Sequence, residues 1–215
     1  MNVAILGLGR FGTRLTEELV SMGVEVLSVD RSAVRVNEVA ETATLAAEGN
    51  IADYEFLQSL DLAAYDTVVI AVGSDMATSV LVALTLKQRL GLRHVVAKAS
   101  TSDHAEALRL AGADIVVSPE QDAAVGLAHI LGPSSRLSEY LSLGPTYGVA
   151  KLKARKSAVG RTLGSLEAFT RHNVVLLAMI RGDKVTFSPD PEVVVEDGDT
   201  WLIAGDDEQL RRAGT

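Results

Sequence analysis

Three glycines, an arginine and a carboxylate near the amino terminus have the types and spacing to hold a phosphorylated ligand. An apolar run from Val3 to Leu6 enters the turn Gly7, Leu8, Gly9, Arg10, Phe11, Gly12 and leaves as an amphipathic helix. In such a strand-turn-helix unit Gly7 permits a tight turn, Gly9 leaves room for a pyrophosphate to approach the backbone, and Gly12 lets the helix pack closely on the sheet. The phosphates sit at the helix amino terminus, where free N–H groups and the macrodipole favour negative charge. Arg10 adds a cation better suited to a terminal phosphate than to the nicotinamide half of a dinucleotide; its blander reading is a solvated first-turn side chain. Asp30 ends the next apolar run, eighteen residues beyond Gly12. A carboxylate there can accept from both ribose hydroxyls of an adenine nucleotide, and its charge disfavours a 2′-phosphate.

Other reacting groups are scarce. Tyr147 and Lys151 have the Tyr-x-x-x-Lys spacing of short-chain dehydrogenases, which works only on a helix, where the side chains stand about 6 Å apart. Gly144, Pro145, Gly148 and the alternation through Lys153 favour a strand, which separates them by roughly 13 Å. His94, His104, His129 and His172 are scattered without metal-ligand spacing, and the lysine-and-serine P-loop is absent. Glu120, after Pro119 and before Asp122, reads either as a first-turn helix acid or as a hard-cation ligand completed by a phosphate or a second subunit.

Six short apolar runs must position these groups: Val3 to Leu6, Glu25 to Val29, Thr44 to Ala47, Thr67 to Val72, His94 to Ala97 and Ile115 to Val117. Helices are predicted between them at Ser32 to Glu41, Asp53 to Ser59, Asp75 to Leu90 and Ser102 to Leu110, with Ser32 and Asp75 as caps. The alternation predicts an α/β fold, a Rossmann-like doubly wound parallel sheet. Ligands of such sheets lie beyond the carboxyl ends of the strands. That places Gly7 to Gly12, Asp30, Arg31, Gly49, Asn50, Gly73 to Asp75 and Lys98 around one nucleotide.

Gly132 to Ser135 break the pattern, so residues 1–132 read as the nucleotide-binding lobe. Residues 133–145 read as a connecting arm with a short helix from Arg136 to Leu143. Residues 146–215 read as a smaller α+β lobe, too small to be comfortable alone and expected to dimerise or dock. Its strands are predicted at Val149 to Leu152, Val174 to Ile180, Lys184 to Thr186 and Thr200 to Ile203, with helices near Leu163 to Thr170 and Asp207 to Arg212. The basic run Lys151, Lys153, Arg155, Lys156, Arg161 is a solvated face or answers acids on a partner.

Cysteine is absent, which excludes disulfides and thiol chemistry and suits a reducing compartment. The apolar runs fall far short of the ~20 residues that cross a bilayer, and Met1 leads straight into a strand without a signal peptide, so a cytoplasmic protein not inserted in the membrane is expected. A net charge of −8 and a pI near 5.0 argue against nucleic acid as a partner.

Taken as a set, Gly7 to Gly12, Val29-Asp30, Ala71-Val72-Gly73, Val96-Ala97-Lys98, Gly112-Ala113-Asp114 leading to Ser118-Pro119-Glu120, and Glu196 to Asp199 before Ile203-Ala204-Gly205 resemble the RCK domains, regulators of potassium conductance. One Rossmann lobe followed by one small lobe is similar to the Ktr-type cytosolic regulatory subunit rather than the tandem-repeat Trk protein. The resemblance implies an octameric ring, peripheral to the inner face of the cell membrane, that gates a membrane potassium-translocating subunit and binds ATP or ADP in the first lobe. It places Arg10 at the terminal phosphate, Asp30 at the ribose and Glu120 at a cation between subunits (magnesium, calcium or sodium). It also implies a cyclic di-AMP pocket near Phe169, His172, Asn173, Val174 and Pro189, although Glu167 departs from the arginine that relatives tend to carry and Arg171 is the substitute. The alternatives are an NAD(H)-binding sensor and an NAD-dependent oxidoreductase, for which Lys98 is the one candidate catalytic group.

Overall fold

The first apolar run becomes β1 (Asn2–Leu6), and its alternation divides the core in two. Ala4 and Leu6 face one side with Leu27, Val29, Val68 and Ile70, whereas Val3 and Ile5 face the other with Val26 and Val69. Side chains alternate across a strand, so burial of every residue from Val3 to Leu6 requires cover on both faces. Helix α1 (Arg10–Ser21) covers the second face with Phe11, Leu15 and Leu19. Its one buried hydroxyl, Thr16 Oγ1, donates to Gly12 O at 3.0 Å and meets Ser28 Oγ of the sheet at 2.9 Å, so no polar atom is stranded there.

The structure is a computed structural model that describes residues 1–132, 136–166, 169 and 174–214. Its contacts divide the chain into two compact units, Met1–Pro119 and Glu120–Thr215. In the first, β2 (Glu25–Asp30), β3 (Leu45–Glu48), β4 (Thr67–Ile70), β5 (Val95–Lys98) and β6 (Ile115–Val117) join β1 in the order β3-β2-β1-β4-β5-β6, with parallel pairing throughout. Strand order reverses between β2–β1 and β1–β4, which opens a crevice above the carboxyl end of β1. The connecting helices are α2 (Ala33–Val39), α3 (Tyr54–Ser59), α4 (Met76–Leu84) and α5 (Ser102–Leu110). Where one helix is predicted from Asp75 to Leu90, α4 gives way to a π-helical turn at Thr85–Arg89, closed by Leu90 N–H on Thr85 O at 3.0 Å.

The second unit holds α6 (Pro119–Leu131), which begins on the last residue of the first, and an antiparallel sheet in the order β10-β9-β11-β8-β7. Its strands are β7 (Leu137–Ser142), β8 (Tyr147–Lys153), β9 (Val175–Arg181), β10 (Lys184–Phe187) and β11 (Thr200–Asp206), and α7 (Asp207–Gly214) follows. Leu152, Leu163, Ile203, Leu210 and Trp201 form the core. Phe169 packs edge-on against Trp201 with centroids 5.2 Å apart, and the indole N–H has no hydrogen-bond partner among the described residues. At the sheet's edge the Tyr140 ring stacks on His129 of α6 at 3.8 Å and its hydroxyl donates to Asp207 Oδ1 at 2.5 Å. Asp199, fully buried, accepts a two-pronged pair from Arg181, Nε to Oδ1 at 2.7 Å and Nη2 to Oδ2 at 2.8 Å, and the Glu196 N–H at 2.8 Å.

Two expectations are corrected here. The helix from Arg136 to Leu143 is instead β7, because pairing with β8 supplies its hydrogen bonds while Leu137 alone of its residues is fully buried and Tyr140 packs on the core's edge. Those residues therefore belong to the second sheet rather than to a free connecting arm, and the contacts group α6 with them. Of the expected helix from Leu163 to Thr170, Leu163–Ser165 form a 3-10 turn and Phe169 is helical, while residues 167, 168 and 170 lie outside the described residues. The expected strand through Tyr147 and Lys151 is present as β8, so the dehydrogenase-like pair lacks the helical geometry it needs.

Candidate functional site

Gly7 leaves β1 with φ +108°, a conformation open to glycine, and a Cβ there would lie 2.6 Å from Val72 Cγ2. Its N–H donates to Val29 O at 2.7 Å, and the next N–H, of Leu8, donates to Asp30 Oδ2 at 2.7 Å. Asp30 Oδ1 accepts the Ser32 N–H at 2.9 Å, and Arg35 Nη1 stands 3.5 Å from Oδ2. The carboxylate is therefore fixed and only 6 % exposed, yet each oxygen keeps a second lone pair for a hydroxyl.

The three glycines of the turn differ in what they do. A Cβ on Gly12 would fall 2.0 Å from Gly7 O, so this residue lets α1 approach the turn. Gly9, with an ordinary extended backbone, has nothing within 4 Å of an added Cβ. Neither backbone nor neighbours demand a glycine there, but an approaching phosphate would. Gly9 also caps α1 without a side-chain hydrogen bond, and no acid stands in the first turn, so the helix's positive end is left unneutralised.

Beside the turn a cleft of about 580 Å³, counted to its open mouth, is lined by Gly7, Asp30, Arg31, Asn50, Val72 and Asp75, among others. Asn50 Oδ1 accepts from Ala52 N–H at 3.1 Å, which orients the side chain and leaves its NH₂ able to meet a base or sugar. Asp75 caps α4, accepting Thr78 N–H at 3.0 Å and Thr78 Oγ1 at 2.7 Å. These bonds, with a smaller contribution from the charge of Arg31, hold its carboxyl below the usual range.

Of the sequence-derived set, Gly7, Asp30, Arg31, Gly49, Asn50, Ser74 and Asp75 line the cleft. Gly73, Lys98 and Phe11 form a neighbouring group: Lys98 Cε lies 3.5 Å from a Cβ built on Gly73, and its Nζ is 5.7 Å above the Phe11 ring. Arg10 is exposed on the first turn of α1. Arg35, Ile51 and Thr78 also line the cleft and were missed from sequence. Arg35 and Thr78 each sit three residues after a helix cap, one turn in from a strand's carboxyl end, and that offset is the signal that finds them.

Glu120 stands exposed in the first turn of α6. Among the described residues no three histidine, aspartate or glutamate side chains come together to hold a metal. In the second unit Phe169 packs on Trp201, Val174 is buried and Pro189 is half-buried, whereas His172 and Asn173 lie outside the described residues. None of the helices described is long and apolar enough to cross a membrane.

Residues 3–119 match the model of the TrkA-N domain, and residues 150–214 match that of the TrkA-C domain. The chain belongs to the RCK family of the Ktr/Trk type. It is similar to the Ktr system potassium uptake protein C of Bacillus subtilis (strain 168), at 33% identity over 94% of this chain and 90% of that protein. It also resembles the Ktr system potassium uptake protein A of Vibrio alginolyticus, at 32% identity over 96% of this chain and 93% of that one. Among solved structures the GsuK RCK domain shares the fold, with a TM-score of 0.68 at 20% identity, across 97% of this chain and 46% of that chain. The GsuK channel bound to NAD gives 0.66 at 21% identity, across 97% of this chain and 38% of that chain.

Proposed function

We propose that this member of the family is a nonenzymatic regulatory subunit of a potassium uptake system that binds an adenine nucleotide, ATP or ADP, in the crevice of its first unit. One observation carries the reading: Asp30 is locked beneath the glycine turn with oxygen lone pairs to spare, beside an uncapped helix terminus and the unobstructed Gly9. The ribose hydroxyls go to Asp30, the phosphates to the first turn of α1, and Arg10 meets the terminal phosphate. Ktr-system relatives supply the potassium-uptake context. The partner is a membrane potassium-translocating subunit, which a ring of these chains engages from the cytoplasmic side. Glu120 contributes to a cation site completed by phosphate or a second copy, and the second unit takes cyclic di-AMP.

Regulation by nucleotide exchange requires that the two nucleotides prefer different ring states, since a ligand shifts an equilibrium only by its differential affinity. Calorimetric titration of ATP and ADP into wild-type protein and Asp30→Ala tests the site. Tight binding to the wild type and loss in the variant is expected, and equal affinities would remove it. NAD is the second reading, favoured by the NAD-bound GsuK channel of the same fold and by an Asp30 that serves any adenosine ribose; the same titration with NAD ranks the two.

A further inference from the structure

His104 opens no path to solvent, yet it joins three parts of the first unit. Its Nδ1 accepts the Ser100 N–H at 3.2 Å, with Ser100 Oγ also 3.2 Å away. Its Nε2 lies 2.6 Å from Ser79 Oγ, and that hydroxyl donates onward to Met76 O at 2.9 Å. The tautomer follows from the partners: a backbone N–H can only donate, so Nδ1 is the bare nitrogen, and Nε2–H donates to Ser79. The ring is therefore neutral, bridging the loop after β5 to the first turn of α4. That turn also carries Asp75 and Thr78, which line the nucleotide cleft.

We propose that His104 is a positioning residue for the cleft and makes nucleotide binding by the first unit sensitive to protons. The inference rests on the nucleotide reading above. A proton on Nδ1 would face the Ser100 N–H, donor against donor, with the Ser100 hydroxyl at 3.2 Å the one neutral acceptor beside it, and would place a charge in a fully buried site. No anion stands ready to compensate it. The charged groups on the elements packed around it are Asp75 and Lys87 on or beside α4, Lys98 on β5, Asp103, Glu106 and Arg109 on α5, and Asp114 ahead of β6. None of them contributes to its proton affinity, which burial alone depresses. Acid thus opens the bridge, frees the first turn of α4 and withdraws Asp75 and Thr78 from their places in the cleft. By reciprocity, a bound nucleotide makes His104 harder to protonate.

ADP titrations of wild-type protein and His104→Gln at about pH 7.5 and about pH 5.5 test the idea; wild-type affinity is expected to fall about fivefold further than the variant's on acidification. The comparison cancels the titration of ADP's own phosphate. Equal pH slopes in the two proteins would overturn the inference and leave the nucleotide site standing, whereas no binding at either pH in either protein would remove both. Should the variant fail to fold, the imidazole C2–H resonance of wild-type His104, followed through acid with and without ADP, gives the same answer: a midpoint lowered by ADP supports the coupling, and an unmoved midpoint overturns it.

Discussion

Leu8 gives its main-chain N–H to Asp30 at 2.7 Å, so the second strand's carboxylate holds the glycine turn before any ligand arrives. Replacing Asp30 by Asn keeps the size but sets an NH₂ against either the Leu8 or the Ser32 N–H. The variant is expected to lose about 1–3 kcal/mol of first-unit stability, the cost of an unsatisfied buried donor, together with adenine-nucleotide binding. Thermal unfolding alongside calorimetry checks both; unchanged melting would mean that the turn does not depend on this bond.

Gly9 and Gly12 should separate binding from folding. At Gly9 an alanine meets nothing, and its entropic gain and poorer capping roughly cancel, so stability should stay within about 0.5 kcal/mol while nucleotide affinity drops at least tenfold. At Gly12 the added methyl would sit 2.0 Å from Gly7 O, and the first unit should not form its native structure. Circular dichroism and nucleotide titration of the two variants suffice, and full affinity in Gly9→Ala would show that no phosphate passes there.

Acid should weaken the second unit through Asp199. Burial works to raise its pKa, but Arg181 and the Glu196 N–H outweigh it and leave the folded value lowered. A carboxyl lowered on folding contributes stability that is complete above its unfolded value of about 3.9 and is lost as pH falls through the folded one. The loss is expected below about pH 4, and Asp199→Ala should cost about 1–3 kcal/mol at neutral pH because the buried Glu196 N–H loses its acceptor, while Arg181 keeps Glu196 as a partner. Denaturant melts against pH, wild type beside variant, would show the acid dependence flattening in the variant.

Tyr140→Phe removes the bond to Asp207 while keeping the stack on His129. A loss of about 0.5–1.5 kcal/mol is expected, more if Asp207 is left poorly solvated. Burial first, and then the Asp207 bond, push the phenol up to about 12, so the wild-type bond should be constant through the neutral range. Denaturant midpoints at two neutral pH values check this, and a pH-dependent difference between the two proteins would contradict it.

The first unit was legible because its central strands, buried on both faces, read as apolar runs that stop at a glycine or a polar residue. Val3 to Leu6 and Val26 to Val29 declared themselves in this way, and Asp30 followed from where its strand had to stop. What escaped depends on partners distant along the chain. Leu137 and Leu141 have helical spacing, but Leu141 is 62% exposed, and β8 rather than local preference made that segment a strand. Arg35 and Thr78 escaped because the offset from a helix cap that places them in a first turn does not by itself say which caps face the crevice. Only the reversal of strand order at β1 turns them toward it.

The sole indole of the chain, Trp201, lies in the second unit's core against Phe169. Excited at the red edge of protein absorption, the molecule emits from that unit alone, so its glow is silent about the glycine turn unless the halves communicate. A spectral change provoked by a nucleotide seated at Asp30 would therefore time the arrival of news from one unit in the other, without any attached dye.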